Sequence, residues 1–185
     1  MVKRILLGLG STEYTVSAIN QAVALAMAHD AEVTGVSTID EGRLRFSGPV
    51  PIGGAQYAHD LADDRVEKAK ERNEWAVQKF TEACVAAGVP HQVQSEVGQP
   101  FALLVDQARY HDLMIFGLRS LFEFDVVPDP QDTLVRLVQS GVCPLIAVSK
   151  GFLPVKKVLL AYSGSMESAN TIKRFVQMRL WPEAK

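Results

Sequence analysis

Residues 3–28 read KRILLGLGSTEYTVSAINQAVALAMA. Ile5, Leu6, Leu7 and Leu9 form a short, nearly continuous apolar run. That pattern marks a strand buried on both faces, as in a parallel sheet. Gly10 to Glu13 is a turn with several helix N-cap candidates. From Thr15 to Ala28, Val16, Ile19, Ala22, Val23, Ala26 and Met27 return at helical spacing, so a one-faced helix follows.

The same alternation continues down the chain. Ala31 to Ile39 is predicted as a strand, with Val33, Val36 and Ile39 as its apolar points. Residues 40–56 are punctuated by Gly42, Gly48, Pro49, Pro51, Gly53 and Gly54 and read as a loop. Tyr57 to Ala87 carries the longest helical pattern, charged on its outer side and stopped by Gly88. His91 to Val97 is predicted as a strand near a sheet edge, and Pro100 to Tyr110 as a helix. Residues 112–117 form another buried strand and 118–130 a second long loop. Thr133 to Val138 is a short helix with Asp132 as its cap, and 144–148 is the fifth strand. Strand and helix in strict alternation imply a parallel sheet with helices on both faces. Ligands of such sheets bind beyond the carboxyl ends of the strands, at a topological switch point. Here those ends are Gly10–Thr12, Ser37–Asp40 and Gly117–Ser120.

Composition narrows the function. The 185 residues are 48% hydrophobic and 22% charged, with a formal net charge of -2. That balance carries no electrostatic footprint of a nucleic-acid binder, and no basic run marks a membrane surface. No apolar stretch approaches the ~20 residues of a membrane span. Cys84 and Cys143 have no CxxC partners and read as two partly buried thiols in a reducing compartment, which makes a cytoplasmic location the expectation. His29, His59, His91 and His111 show no metal-ligand spacing, so no metal site is expected.

The opening stretch returns. KRILLGLGS at 3–11 reappears as KKVLLAYSG at 156–164, an offset of 153 residues, with Ile19 matching Ile172 and Val23 matching Val176. This predicts a domain over 1–150, a linker over 151–155, and over 156–185 the truncated start of a second similar domain. A lone strand–helix pair cannot bury its own apolar face. The chain is then either a piece of a longer tandem protein, or its tail packs on the first domain or on another copy.

RILLGLGSTEYTVSAINQAVALA, DLMIFGLRS at 112–120 and VRLVQSGVCPLIAVSK at 135–150 together resemble the universal stress protein family. The last is the most specific, because the family's final helix and strand read much like VCPLIAV. The resemblance covers 3–149, with 156–180 resembling the start of a second domain. It implies a five-stranded parallel sheet of order 3-2-1-4-5, of the adenine nucleotide alpha hydrolase type, with a C-terminal strand–helix extension. It also implies a homodimer or tandem pseudo-dimer, with Leu145, Ile146, Ala147 and Val148 at the pairing edge. ATP-binding members carry an acidic residue after the first strand and a loop of the form Gly-x2-Gly-x9-Gly-Ser/Thr.

Carried over by position, the acidic residue falls on Gly10, and in the second copy on Ser163. The loop's first glycine matches Gly117 and its second falls on Ser120. Its Gly-Ser pair falls on Gln131 and Asp132, where a carboxylate repels phosphate. Pro128 and Pro130 remove N–H donors, while Arg119 offers a cation. Gly10, Ser11, Thr12, Val36, Gly117, Arg119, Ser120, Gln131 and Asp132 are therefore the candidate nucleotide-site residues of a degenerate site. The expected function is a stress-response or regulatory module that acts through association, without catalysis. One alternative is a working sensor of ATP or another adenine nucleotide, with slow hydrolysis left open. Another is a nucleotide-dependent ligase, because SerGlySerMetGluSer at 163–168 faintly resembles a pyrophosphate loop of AMP-forming enzymes. Gly10–Thr12 has a second reading as simple helix capping. Phe122, Phe124, Val126 and Val127 put apolar side chains in the phosphate loop, either folded over the core or plugging the cleft.

Overall fold

The computed structural model describes residues 2–10, 12–46, 48, 53–98, 100–117, 138, 139, 141 and 143–185. The second long loop and the short helix expected at 133–138 lie almost wholly outside the described residues. Five strands are present: β1 (Arg4–Leu9), β2 (Glu32–Ile39), β3 (His91–Val97), β4 (Leu113–Gly117) and β5 (Leu145–Val148). They form one parallel sheet of order β3-β2-β1-β4-β5. The helices are α1 (Thr15–His29), α2 (Glu41–Leu44), α3 (Ala55–Ala87), α4 (Pro100–Ala108) and, after β5, α5 (Met166–Met178).

Alternation within each strand builds two cores. Ile5, Leu7 and Leu9 of β1 point toward α1 and α3, where Ile19, Leu25 and Phe80 are buried with them. Leu6, Met114 and Phe116 point the other way, toward Leu104 and Ala108 of α4. β1 and β4 are central and buried on both faces, as their unbroken apolar runs require. Gly35 of β2 sits where a Cβ would lie 2.7 Å from the Phe80 ring and 2.9 Å from Leu9 Cδ1. Only the missing side chain lets Phe80 press onto the sheet.

Polar groups pin the amino-terminal edge. Asp112 accepts from the backbone N–H of Lys3 (2.8 Å) and Arg4 (3.0 Å), which ties the start of β4 to that of β1. His111 Nδ1 donates to the Gln107 carbonyl (2.7 Å). Its Nε2 lies 3.0 Å from the Thr34 hydroxyl, which also accepts from Gln92 (3.1 Å). His111 is therefore a structural link between α4 and the sheet.

Two expectations need correction. The loop expected over 40–56 holds one helical turn, α2, because the Asp40 carboxylate accepts from the Arg43 N–H (3.0 Å) and caps it. The C-terminal strand expected from the repeat does not enter a ladder. Its helix forms as α5, but residues 152–163 run without secondary structure. Phe175, Met178, Leu180 and Trp181 pack against the core on the α1 and α3 side. His29 Nε2 at the end of α1 donates to the Leu180 carbonyl (3.3 Å).

Candidate functional site

The sheet order places the topological switch between β1 and β4. Gly8 pairs with Phe116, so Gly10 and Gly117 lie just beyond that pair on the carboxyl edge. Two glycines here let a ligand approach the backbone closely. The structure thus brings Gly10 and Gly117 together with Thr12, which opens the turn into α1. Ser11, Arg119, Ser120, Gln131 and Asp132 lie outside the described residues, as do Phe122, Phe124, Val126, Val127, Pro128 and Pro130. Val36 is close in sequence to the carboxyl end of β2, but its side chain is buried against Leu6 and Phe116 beneath α4.

The turn after β1 consumes its own polar groups. The Thr15 hydroxyl donates to the Gly10 carbonyl and accepts from the Thr12 N–H (3.0 Å). The Thr12 hydroxyl accepts from the Tyr14 N–H (3.1 Å), and the Thr12 carbonyl accepts from the Thr15 N–H (3.0 Å). These bonds lie within the turn itself, and α1 begins at Tyr14 with no side-chain cap.

An ion pair crosses the same edge. Glu13, in the turn after β1, holds Lys150, two residues beyond β5. The hydrogen bond and charge of Glu13 raise the Lys150 ammonium above its ordinary range. Both side chains are about half exposed or more, so the pair adds little to stability. Its effect is to commit the basic group that follows β5. Residue-by-residue matching missed this pair. Its signal was two opposite charges placed just after strands that end on one edge, and it becomes visible only once the sheet order is known.

Two buried acceptors near this end of the sheet have no partner among the described residues. Ser37 Oγ is one and Gln94 Oε1 the other. Gln94 pairs in register with Val36 and so shares its face. Ser37 begins one of the strand ends that the sequence marked for ligands, whereas Gln94 was not singled out, because a lone polar residue in a strand gives no signal until its surroundings close around it. Among the described residues no three His, Cys, Asp or Glu side chains gather as metal ligands. Nor is any helix long and apolar enough to cross a membrane.

At the proposed pairing edge, β5 is bonded, among the described residues, on one side only, to β4. Leu145 and Ile146 are half-buried, Ala147 is exposed and Val148 is buried.

The sequence profile of the universal stress protein family matches residues 1–148. The chain belongs to the universal stress protein family. Solved structures agree on the fold. A universal stress protein family member from Burkholderia pseudomallei is 17% identical with a TM-score of 0.55, covering 79% of this chain and 95% of its own. Universal stress protein UspA from Lactobacillus plantarum is 19% identical with a TM-score of 0.54, covering 80% and 97%. A universal stress protein from Archaeoglobus fulgidus is 15% identical with a TM-score of 0.50, covering 80% and 94%. No curated protein matches the sequence. As a universal stress protein the chain has the expected five-stranded sheet and strand order, and beyond residue 148 it carries the docked α5 segment.

Proposed function

We propose that this universal stress protein is a stress-response or regulatory module that works by association, with a degenerate nucleotide site and no catalytic role. The observation that carries the reading is the closed turn after β1. Gly10 stands where the family's binders carry an acid, and Thr12 and Thr15 bond to each other and to Gly10 instead of waiting for a ligand. Lys150, a cation on the same edge, is engaged by Glu13. The outer edge of β5, unpaired among the described residues, supplies a surface for a homodimer or for the second half of a tandem pseudo-dimer. A cytoplasmic setting suits Cys84 and Cys143, whose thiols burial pushes up to about 11, which keeps them protonated and inert.

Calorimetry with ATP and magnesium, and with AMP, tests the site, and light scattering tests the association. The expected result is a dimeric mass that Ala147→Pro on β5 reduces to a monomer, with no nucleotide heat up to millimolar ligand. A second reading, an adenine-nucleotide sensor, is favoured by the open acceptors Ser37 Oγ and Gln94 Oε1 and by the paired glycines Gly10 and Gly117. Micromolar binding that Gly117→Asp abolishes would establish the sensor and overturn the degenerate site. The ligase reading has less to stand on. The hydroxyls of Ser163, Ser165 and Ser168 bond to one another and cap α5.

A further inference from the structure

Docking of α5 leaves a cavity of about 460 Å³ between the tail and the sheet. It lies at the amino ends of β4 and β5, opposite the switch point, because Leu113 and Leu145 are the first residues of their strands. The volume is within the range of small-molecule sites. Its walls are apolar: Leu113 and Ile146 on the sheet side, and Phe175, Met178 and Trp181 on the tail. The Cys143 thiol, held neutral by burial, adds a small hydrophobe to the wall.

One cation stands in this lining. Arg174 of α5 reaches the cavity, near enough that its charge is felt at Cys143, and has no ion-pair partner among the described residues. The nearby Asp112 also acts electrostatically on Cys143; its Oδ2 accepts from the backbone N–H groups of Lys3 and Arg4, and among the described residues it forms no ion pair with Arg174. The Thr171 hydroxyl is spent on the Glu167 carbonyl (2.8 Å). An apolar chamber with one free guanidinium is complementary to an apolar body with one acidic head. A guanidinium binds a carboxylate through paired N–H donors.

We propose that the cavity between α5 and the β4–β5 edge binds a medium-chain monocarboxylic acid, its chain in the apolar chamber and its carboxylate on Arg174. Both walls touch the ligand, so binding fastens the tail to the sheet. The site uses side chains of β5 that stand off the sheet faces and leaves the strand's outer backbone edge free. It shares Leu145 and Ile146 with the strand proposed to pair, and it lies at the end of the sheet opposite any nucleotide.

The test uses the full chain with Trp75→Phe, so that Trp181 alone reports. Decanoate is titrated below its micelle range, and decanol serves as the uncharged control. Saturable change in Trp181 emission is expected, with slower amide exchange across 166–181. Arg174→Gln should weaken decanoate at least ~10-fold while leaving decanol unchanged. Thr171→Phe, at an exposed helix position on the rim, should block both and adds no second tryptophan. Circular dichroism of each variant checks that α5 is intact. No saturable binding, an acid-to-alcohol preference unmoved by Arg174→Gln, or binding unmoved by Thr171→Phe would each overturn the proposal.

Discussion

Residues 3–29 and 156–178 carry one pattern and meet two fates. Each begins with a basic pair and an apolar run, passes through a Gly/Ser/Thr turn and continues as an amphipathic helix. The helices form in both places. Thr12 and Thr15 match Ser165 and Ser168, and each pair hydrogen-bonds, but Ser165 caps α5 whereas α1 begins at Tyr14 with no side-chain cap. The strands differ. Leu6 in β1 is fully buried, whereas its counterpart Leu159 is 96% exposed. A helix satisfies its backbone locally and needs only a cap and one apolar face. A strand needs neighbours. β1 has β2 on one side and β4 on the other, whereas among the described residues 156–162 has no strand beside it, only Lys185, which accepts from the Val158 N–H (2.8 Å) and donates to the Lys156 carbonyl (3.0 Å).

The sharpest way to break this comparison is to make the same change in both copies. Leu6→Ala should cost about 3 kcal/mol, because it removes a packed core side chain and leaves a cavity. Leu159→Ala should stay within about 0.5 kcal/mol. Urea midpoints followed by circular dichroism measure both. A comparable loss at Leu159 would mean that the second strand is packed in solution, against another copy or a further partner.

The same contrast explains how much of the molecule can be read from its sequence. Continuous runs such as Leu113–Phe116 and the long period of α3 have no competing interpretation, so the order of elements and the parallel sheet were legible. Boundaries moved by a residue or two where caps decide them, as at α1, which ends at Asp30 in a left-handed conformation held by Lys3. The single turn of α2 was illegible because four residues show no period, and its cause is one carboxylate, Asp40. At the site, Gly10 and Gly117 were legible as strand ends. The Glu13–Lys150 pair was not, because the order of strands brings those residues together across most of the chain. Val36 was legible as a strand residue, but the face its side chain takes follows from register.

A smaller effect is expected where α5 meets the body. Phe175 is half-buried and falls at the position of Ala22 in α1, which is fully buried. α1 lies close against the sheet through small side chains, while α5 stands off on a large one. Phe175→Ala should destabilise docking of α5 by about 2 kcal/mol, roughly half the loss for a fully buried phenylalanine. The urea midpoint of the sheet should barely move. Hydrogen exchange separates the two, since only amides of 166–181 should speed up. Acceleration spreading into α1 would show that the tail and the domain unfold as one unit.

The smallest effect separates the two helix starts by charge. α5 has Glu167 in its first turn, whereas α1 has no acidic residue there. The backbone N–H of Glu167, together with the Ser165 hydroxyl, holds its carboxyl below the ordinary value of 4.5. A carboxylate whose value is depressed by folding stabilises above its unfolded value, and that contribution is lost as pH falls through the folded one. Acidification below about 4.5 should therefore loosen the start of α5, while the start of α1 has no such charge to lose. Asp30, Asp63 and Glu82 are also depressed, through Lys3, Arg45 and Lys79 respectively, so the domain has its own acid response. For that reason the comparison must be local. Amide signals of 166–170 followed by NMR from pH 6 to 3 should shift in the wild type and flatten in Glu167→Gln, with residues 15–19 unaffected by the substitution. Equal shifts in both proteins would remove Glu167 from the account and leave the Ser165 cap as all that starts the second helix.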